Sequence, residues 1–344
     1  MLNKTVLLIM ITTILVTTII IYVRKKTTLN THLLMALAIG MILYNMILMI
    51  FSIEPNFFIA GFVLLLAPLI KSLSMDNIKK ILFYYSIGLI FYSILLFVDI
   101  IMGLSFLPIY EVRYFKLASD SEELRLAFNC LFGQKNAAGA TMSILGMILL
   151  HLFYKSNKSM FFLSIGIGII IFLTNSATGL IMYMIFLVLR FFKILKGYWR
   201  YLLLFITFIT FITFIMSLFS FDLSSILEDR KVESLIIKLS RIMAFLDLDF
   251  QQLVFGNFDG YFYTESSLLD MILNFGIVIP TLLVILLFYF SIQSLLYKDI
   301  LLAYIFFTYI ILITISNSSF LYPNIILLLI LTKILNEHKK GQYI

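Results

Sequence analysis

Residues 221–270 read FDLSSILEDRKVESLIIKLSRIMAFLDLDFQQLVFGNFDGYFYTESSLLD. This is the longest polar interval in a chain that is otherwise almost continuously apolar. Residues 201–221 lie before it and 268–291 after it, and both are hydrophobic over the roughly 17–25 residues that a membrane helix needs. A charged stretch held between two such segments reads as a loop presented by a membrane bundle, and the rest of the chain follows that reading.

Of the 344 residues, 62% are hydrophobic and 12% charged, with a mean hydropathy of +1.09. A soluble domain carries about twice that charged fraction. The expected class is therefore all-α, a polytopic integral membrane protein forming one domain over 1–344. Apolar runs fall at 5–23, 32–51, 56–70, 81–98, 136–154, 160–173, 178–192, 201–221, 268–291, 300–315 and 321–335, about eleven spans in all. Only Lys4 precedes the first run and no small-residue cleavage site follows it, so that helix is expected to be retained.

The net charge of +7 invites a nucleic-acid reading, but its distribution argues otherwise. Loops 24–32, 71–80, 155–159, 190–200, 293–299 and 333–344 hold sixteen of the 25 Lys and Arg, with only Asp76, Asp299 and Glu337 as acids. The alternate loops hold the other nine and fourteen acids. The basic set is expected to be cytoplasmic, which places the N-terminus outside and the C-terminus inside. The two long loops, 99–135 and 222–267, then face outward, where a rigid scaffold can present them for function. The short inner loops leave no room for a nucleotide domain, and no GxxxxGK[ST] phosphate loop is present. A lone Cys130 rules out an intrachain disulfide, and His32, His151 and His338 lie far apart without metal-site spacing. No metal or other cofactor is expected.

In the first outer loop, Arg113 and Lys116 fit solvated pairs with the nearby acids. Arg125 is closer to the GQKNAAG entry of the next helix. Lys135 and Asn136 stand at that entry, where a helix N-terminus attracts anions. In the second loop, 223–246 reads as an amphipathic helix. With Arg230 set at zero, Arg241 returns to about 20° while the apolar residues cluster near 180°. The arginines share one ridge but are about 16 Å apart, so they cannot grip one diphosphate together. They fit a solvated face as well as a bidentate phosphate site. Arg241 is the nearer to the FGNFDGYFYTESS turn. Glu265, in that turn, fits either a general base or a companion of the helix start, and Asp270 sits at the membrane boundary.

Four stretches, in this order, resemble the integral membrane O-antigen ligase/polymerase superfamily, which comprises Wzy-type polysaccharide polymerases and lipid A-core ligases. Arg125 followed by FGQKNAAG (132–139) is similar to that family's Arg…F-G-N/K-N-x-x-G entry. LTNSATGLIMYMIFLVL (173–189) resembles its T-x-S-R-x-x-L helix start, with Ala177 where Arg is usual. LSRIMAF (239–245) followed by LVFGNFDGYF (253–262) resembles its S-G-R…P-L-F-G-x-G stretch, without the Trp. TESSLLDMILNFGIVIPTLLVILL (264–287) resembles its H-N-x-Y-L-x-x-L-x-x-x-G-I helix, with Glu265 at the His position. The resemblance implies a metal-independent inverting glycosyltransferase. Its donor is a polyprenyl-diphosphate-linked oligosaccharide in membrane lipid, with a flippase and a chain-length regulator as partners. Arg241 and Arg125 would hold the diphosphate, Glu265 would act as base, and Lys135, Asn136, Arg113, Arg230 and Asp270 would line the substrate site. The absent His favours a polymerase for capsule, exopolysaccharide or O-antigen over a ligase. A flippase or transporter is the alternative class. It would need charge at mid-span, and the spans here are nearly charge-free at their centres.

Overall fold

Residues 138–150 are buried without a break. A helix apolar on all sides has no solvent face and belongs at the centre of a bundle, and this one (α4, Lys135–Phe153) touches four others. The computed structural model describes residues 28–50, 61, 63–102, 135–153, 158–174, 176–192, 249–256, 268, 271–272, 276–315 and 322–339. Among these the chain is helical with no strand, as expected for an all-α protein. The other helices are α1 (Leu29–Ile50), α2 (Ala67–Ser72), α3 (Met75–Met102), α5 (Lys158–Leu173), α6 (Ala177–Phe191), α7 (Phe250–Phe255), α8 (Val278–Leu296), α9 (Ile300–Ile315) and α10 (Tyr322–Lys339).

Small residues set the central packing. Gly139, Ser143 and Gly146 recur at i, i+4 and i+7 and so share a face of α4. A Cβ on Gly139 would lie 2.2 Å from Ser176 Cβ, and one on Gly179 would lie 2.7 Å from Gly139 O. The α4 and α6 backbones therefore touch near both helix starts. Ser143 Oγ lies 2.6 Å from Gly139 O and 2.7 Å from Gly179 O, within donating reach of either carbonyl. Further along, Tyr183 lies beside Gly146 and Gly168, with its hydroxyl 2.8 Å from Ser164 Oγ. The contacts advance together along both chains, so α4 and α6 run parallel. Close approach through small residues is how helices associate where no hydrophobic drive separates them from their surroundings. Gly139→Ala is expected to lower the unfolding midpoint in detergent by overpacking of about 1–3 kcal/mol. Gly40→Ala and Gly88→Ala, whose added methyl meets nothing within 4 Å, are the controls that should not. Equal midpoints for all three would remove the backbone contact from the account.

The outward faces are apolar as well. On α3 the exposed residues include Tyr84, Ile87, Phe91, Ile94 and Val98; on α5, Phe162, Ile165, Ile169 and Phe172; on α8, Leu282, Ile285, Phe288 and Ile292. Each set repeats at helical spacing, a stripe far larger than a soluble monomer leaves bare. Among the described residues, two helices, Met75–Leu95 within α3 and Val278–Leu296, are long and apolar enough to cross a membrane, with mean hydropathies of 1.4 and 2.1. Five shorter apolar helices are Leu29–Leu43, Ala138–Phe153, Lys158–Phe172, Thr178–Phe191 and Ile300–Leu312.

Several boundaries differ from those read off the sequence. Helix α3 continues through Asp99 to Met102, and α4 opens at Lys135, so both ends of the expected loop 99–135 are helical. The expected span 268–291 is interrupted: Gly276 adopts φ 76° and the long helix begins only at Val278. Pro280 explains this, because it has no N–H to give to Gly276 and is tolerated only in a helix's first turn. Within the expected loop 222–267, Phe250–Phe255 is a helix closed by a reciprocal capping box between Asp249 and Gln252. The D-x-x-Q spacing announces that box in the sequence. Spans 5–23 and 201–221 and the amphipathic helix 223–246 lie outside the described residues.

Candidate functional site

The bundle has two distinct ends. The turn Tyr297–Asp299 joins α8 to α9, with Lys298 left-handed at φ 59° and Asp299 capping α9 through Leu302 N–H to Oδ1 at 2.9 Å. The other carboxylate oxygen, Oδ2, faces His151 Nε2 of α4 at 3.1 Å and His338 Nε2 of α10 at 2.9 Å. The side chains of Asp299 and His151 are largely covered. The last turns of α4 and α10 and the turn before α9 thus meet at one end. Beside them, Asn30 of α1 donates from Nδ2 to Gln293 Oε1 and to Asn336 Oδ1, both at 3.1 Å, and Lys333 pairs with Glu337. All these residues lie in or near the loops assigned to one basic side on sequence, and they are contiguous in the fold.

Burial alone would raise the Asp299 carboxyl. The two imidazoles beside it and the Leu302 N–H outweigh that and hold it well below the usual carboxylate range. It is a fixed anion, and the carbonyl ends of α4 and α10 add negative potential there.

Since α4, α8 and α10 finish at this end, their starts gather at the other, and the parallel α6 starts there too. Lys135 and Asn136 stand in the first turn of α4, close to the α6 start through the Gly139–Ser176 contact. Ile277 N–H, just before α8, donates to Leu253 O of α7 at 2.9 Å, which ties the FQQLVF helix to the same end. Asn324, in the first turn of α10, is fully buried, and neither atom of its amide is hydrogen-bonded among the described residues.

Of the site residues expected from sequence, Lys135 and Asn136 are placed, both opening α4. Arg113, Arg125, Arg230, Arg241, Glu265 and Asp270 lie outside the described residues. The His151–Asp299–His338 cluster was not legible in the spacing, because 148 residues separate His151 from Asp299 and 39 separate Asp299 from His338. The one local hint is Asp299 standing just before an apolar run, an N-cap signature. No protein-family model, curated protein or solved structure matches the chain.

Proposed function

We propose that the chain is a membrane glycosyltransferase. It polymerises polyprenyl-diphosphate-linked oligosaccharide repeats at the outer face of a bacterial plasma membrane, as in capsule, exopolysaccharide or O-antigen synthesis. The observation that carries the reading is the gathering of the α4, α6, α8 and α10 starts at one end, with Lys135 and Asn136 in the first turn of α4. Helix N-termini present free N–H groups and positive partial charge, which suits a diphosphate. The exposed apolar stripes on α3, α5 and α8 suit lipid contact. Eleven spans, with the basic loops and the C-terminus cytoplasmic, put the helix starts outside and the Asp299 end inside.

In this reading Arg241 and Arg125 stabilise the charge that develops on the departing diphosphate. The acceptor hydroxyl loses its proton to Glu265 and attacks the anomeric carbon from the opposite side, inverting it. The bond to the diphosphate breaks as the glycosidic bond forms, so no nucleotide is consumed. A transporter would need charge at mid-helix. Instead, among the described residues the buried polar groups towards the middle of α4, α5 and α9 are hydroxyls, Thr141, Ser143, Ser164 and Thr308, whereas His151, Lys333 and Glu337 lie near the ends of α4 and α10.

Sidedness is open to test with alkaline phosphatase fusions. A fusion after residue 260 is expected to be active, and fusions after 298 and 344 inactive. An inactive fusion at 260 would place the arginine loop in the cytoplasm and end the proposal.

A further inference from the structure

We infer that His151, Asp299 and His338 form a binding site for one divalent transition-metal ion of the Zn2+ class, clamping three segments of the bundle at the end opposite Lys135. The donor atoms Nε2, Oδ2 and Nε2 come from α4, the α8–α9 turn and α10, and all lie within 4.8 Å of one another. Two imidazoles and a carboxylate are the donors that Zn2+ and its neighbours prefer, with a fourth position left to water. Tetrahedral ligands about 2.0–2.2 Å from zinc stand roughly 3.3 Å apart. The observed 3.1 and 2.9 Å need to open by only a few tenths of an ångström.

Three further observations favour a cation at this point. Asp299 Oδ2 and His151 Nε2 accept and donate no aligned hydrogen bond among the described residues, despite their proximity. Leu302 N–H holds the other carboxylate oxygen, the kind of outer contact that orients a metal ligand. The cluster is largely shielded from solvent, with side-chain exposures of 8%, 9% and 18% for His151, Asp299 and His338. The site stands about 24 Å along α4 from Lys135, so it acts as a structural clamp rather than at the proposed reaction centre.

The test uses the full chain purified in detergent, stripped with a chelator and gel-filtered in metal-free buffer. Wild type is expected to rebind about one Zn2+ per chain by elemental analysis, to raise its unfolding midpoint on doing so, and to give visible ligand-field bands with Co2+. Asp299→Asn and His338→Gln are expected to weaken Zn2+ binding by at least about tenfold. Wild type that binds no more Zn2+ than the variants, or whose midpoint ignores both chelator and metal, overturns the inference and leaves an imidazolium–carboxylate cluster. Should either variant fail to fold, the Co2+ spectrum of wild type decides by itself, and its absence is equally fatal. Polymer formation is not a readout here, so the outcome is independent of the proposed function.

Discussion

Arg241→Lys is expected to abolish polymer formation while the protein inserts and accumulates as wild type does. The guanidinium is a planar fork that meets two phosphate oxygens at once, whereas ammonium is a single, strongly hydrated point charge. The charge is unchanged, so long-range attraction of the lipid-linked donor survives and only the geometry at the leaving group is lost. Removing one pre-aligned donor from a developing anion costs on the order of 10²–10³ in rate. A polymerase slowed that far yields single repeats instead of a ladder. Arg230→Lys is the matched control. In the helix expected from sequence over 223–246 it would share Arg241's ridge about 16 Å away, too far for the same diphosphate. Full-length polymer from Arg241→Lys removes the diphosphate role, and equal loss from both variants shows that the ridge acts by charge alone.

Glu265→Gln is expected to be as damaging by a different route. The amide keeps the size and most of the hydrogen bonding of the carboxylate but accepts no proton. The acceptor hydroxyl would then have to attack undeprotonated. General-base catalysis contributes typically 10²–10⁴-fold, so chain growth should fall by about that factor while donor binding persists. Binding without growth is the signature to look for. Wild-type chain lengths from this variant mean that another group takes the proton. Asp270→Asn separates the two carboxylates: as a proposed substrate contact rather than a base, Asp270 is expected to tolerate the change with chain growth largely kept.

The helices were legible because apolar runs and their breaks are local properties. Residues 136–154, 160–173, 178–192 and 300–315 lie within a residue or two of α4, α5, α6 and α9. Where the reading erred, a specific residue overrode hydropathy. Pro280 and Gly276 cut a segment that hydropathy alone joins, and the Asp249–Gln252 box forms a helix inside a loop. Lys and Arg accumulate in alternate loops, and the basic-set residues Asp299, Asn336 and His338 meet in space with Asn30 and His151 at one end of the bundle. The meeting itself was not legible. It depends on which helices pack beside α4, a long-range property; the small residues Gly139, Gly146 and Gly179 set the contact of α4 with α6, and no comparable local signal marks its contact with α10. Of the proposed reaction centre, only Lys135 and Asn136 lie among the described residues, and the helix start expected there from sequence is present. The arginines and Glu265 rest on motif order and helical phase.

The central claim is that the chain itself lengthens glycan on a polyprenyl-diphosphate donor. The most direct measurement supplies the purified protein, in lipid vesicles, with that lipid-linked repeat unit and nothing else. A ladder of products growing by whole repeats, with free polyprenyl diphosphate released at each step and no requirement for nucleotide, is the predicted result. Donor left at one repeat, or moved across the vesicle without change in length, would contradict it.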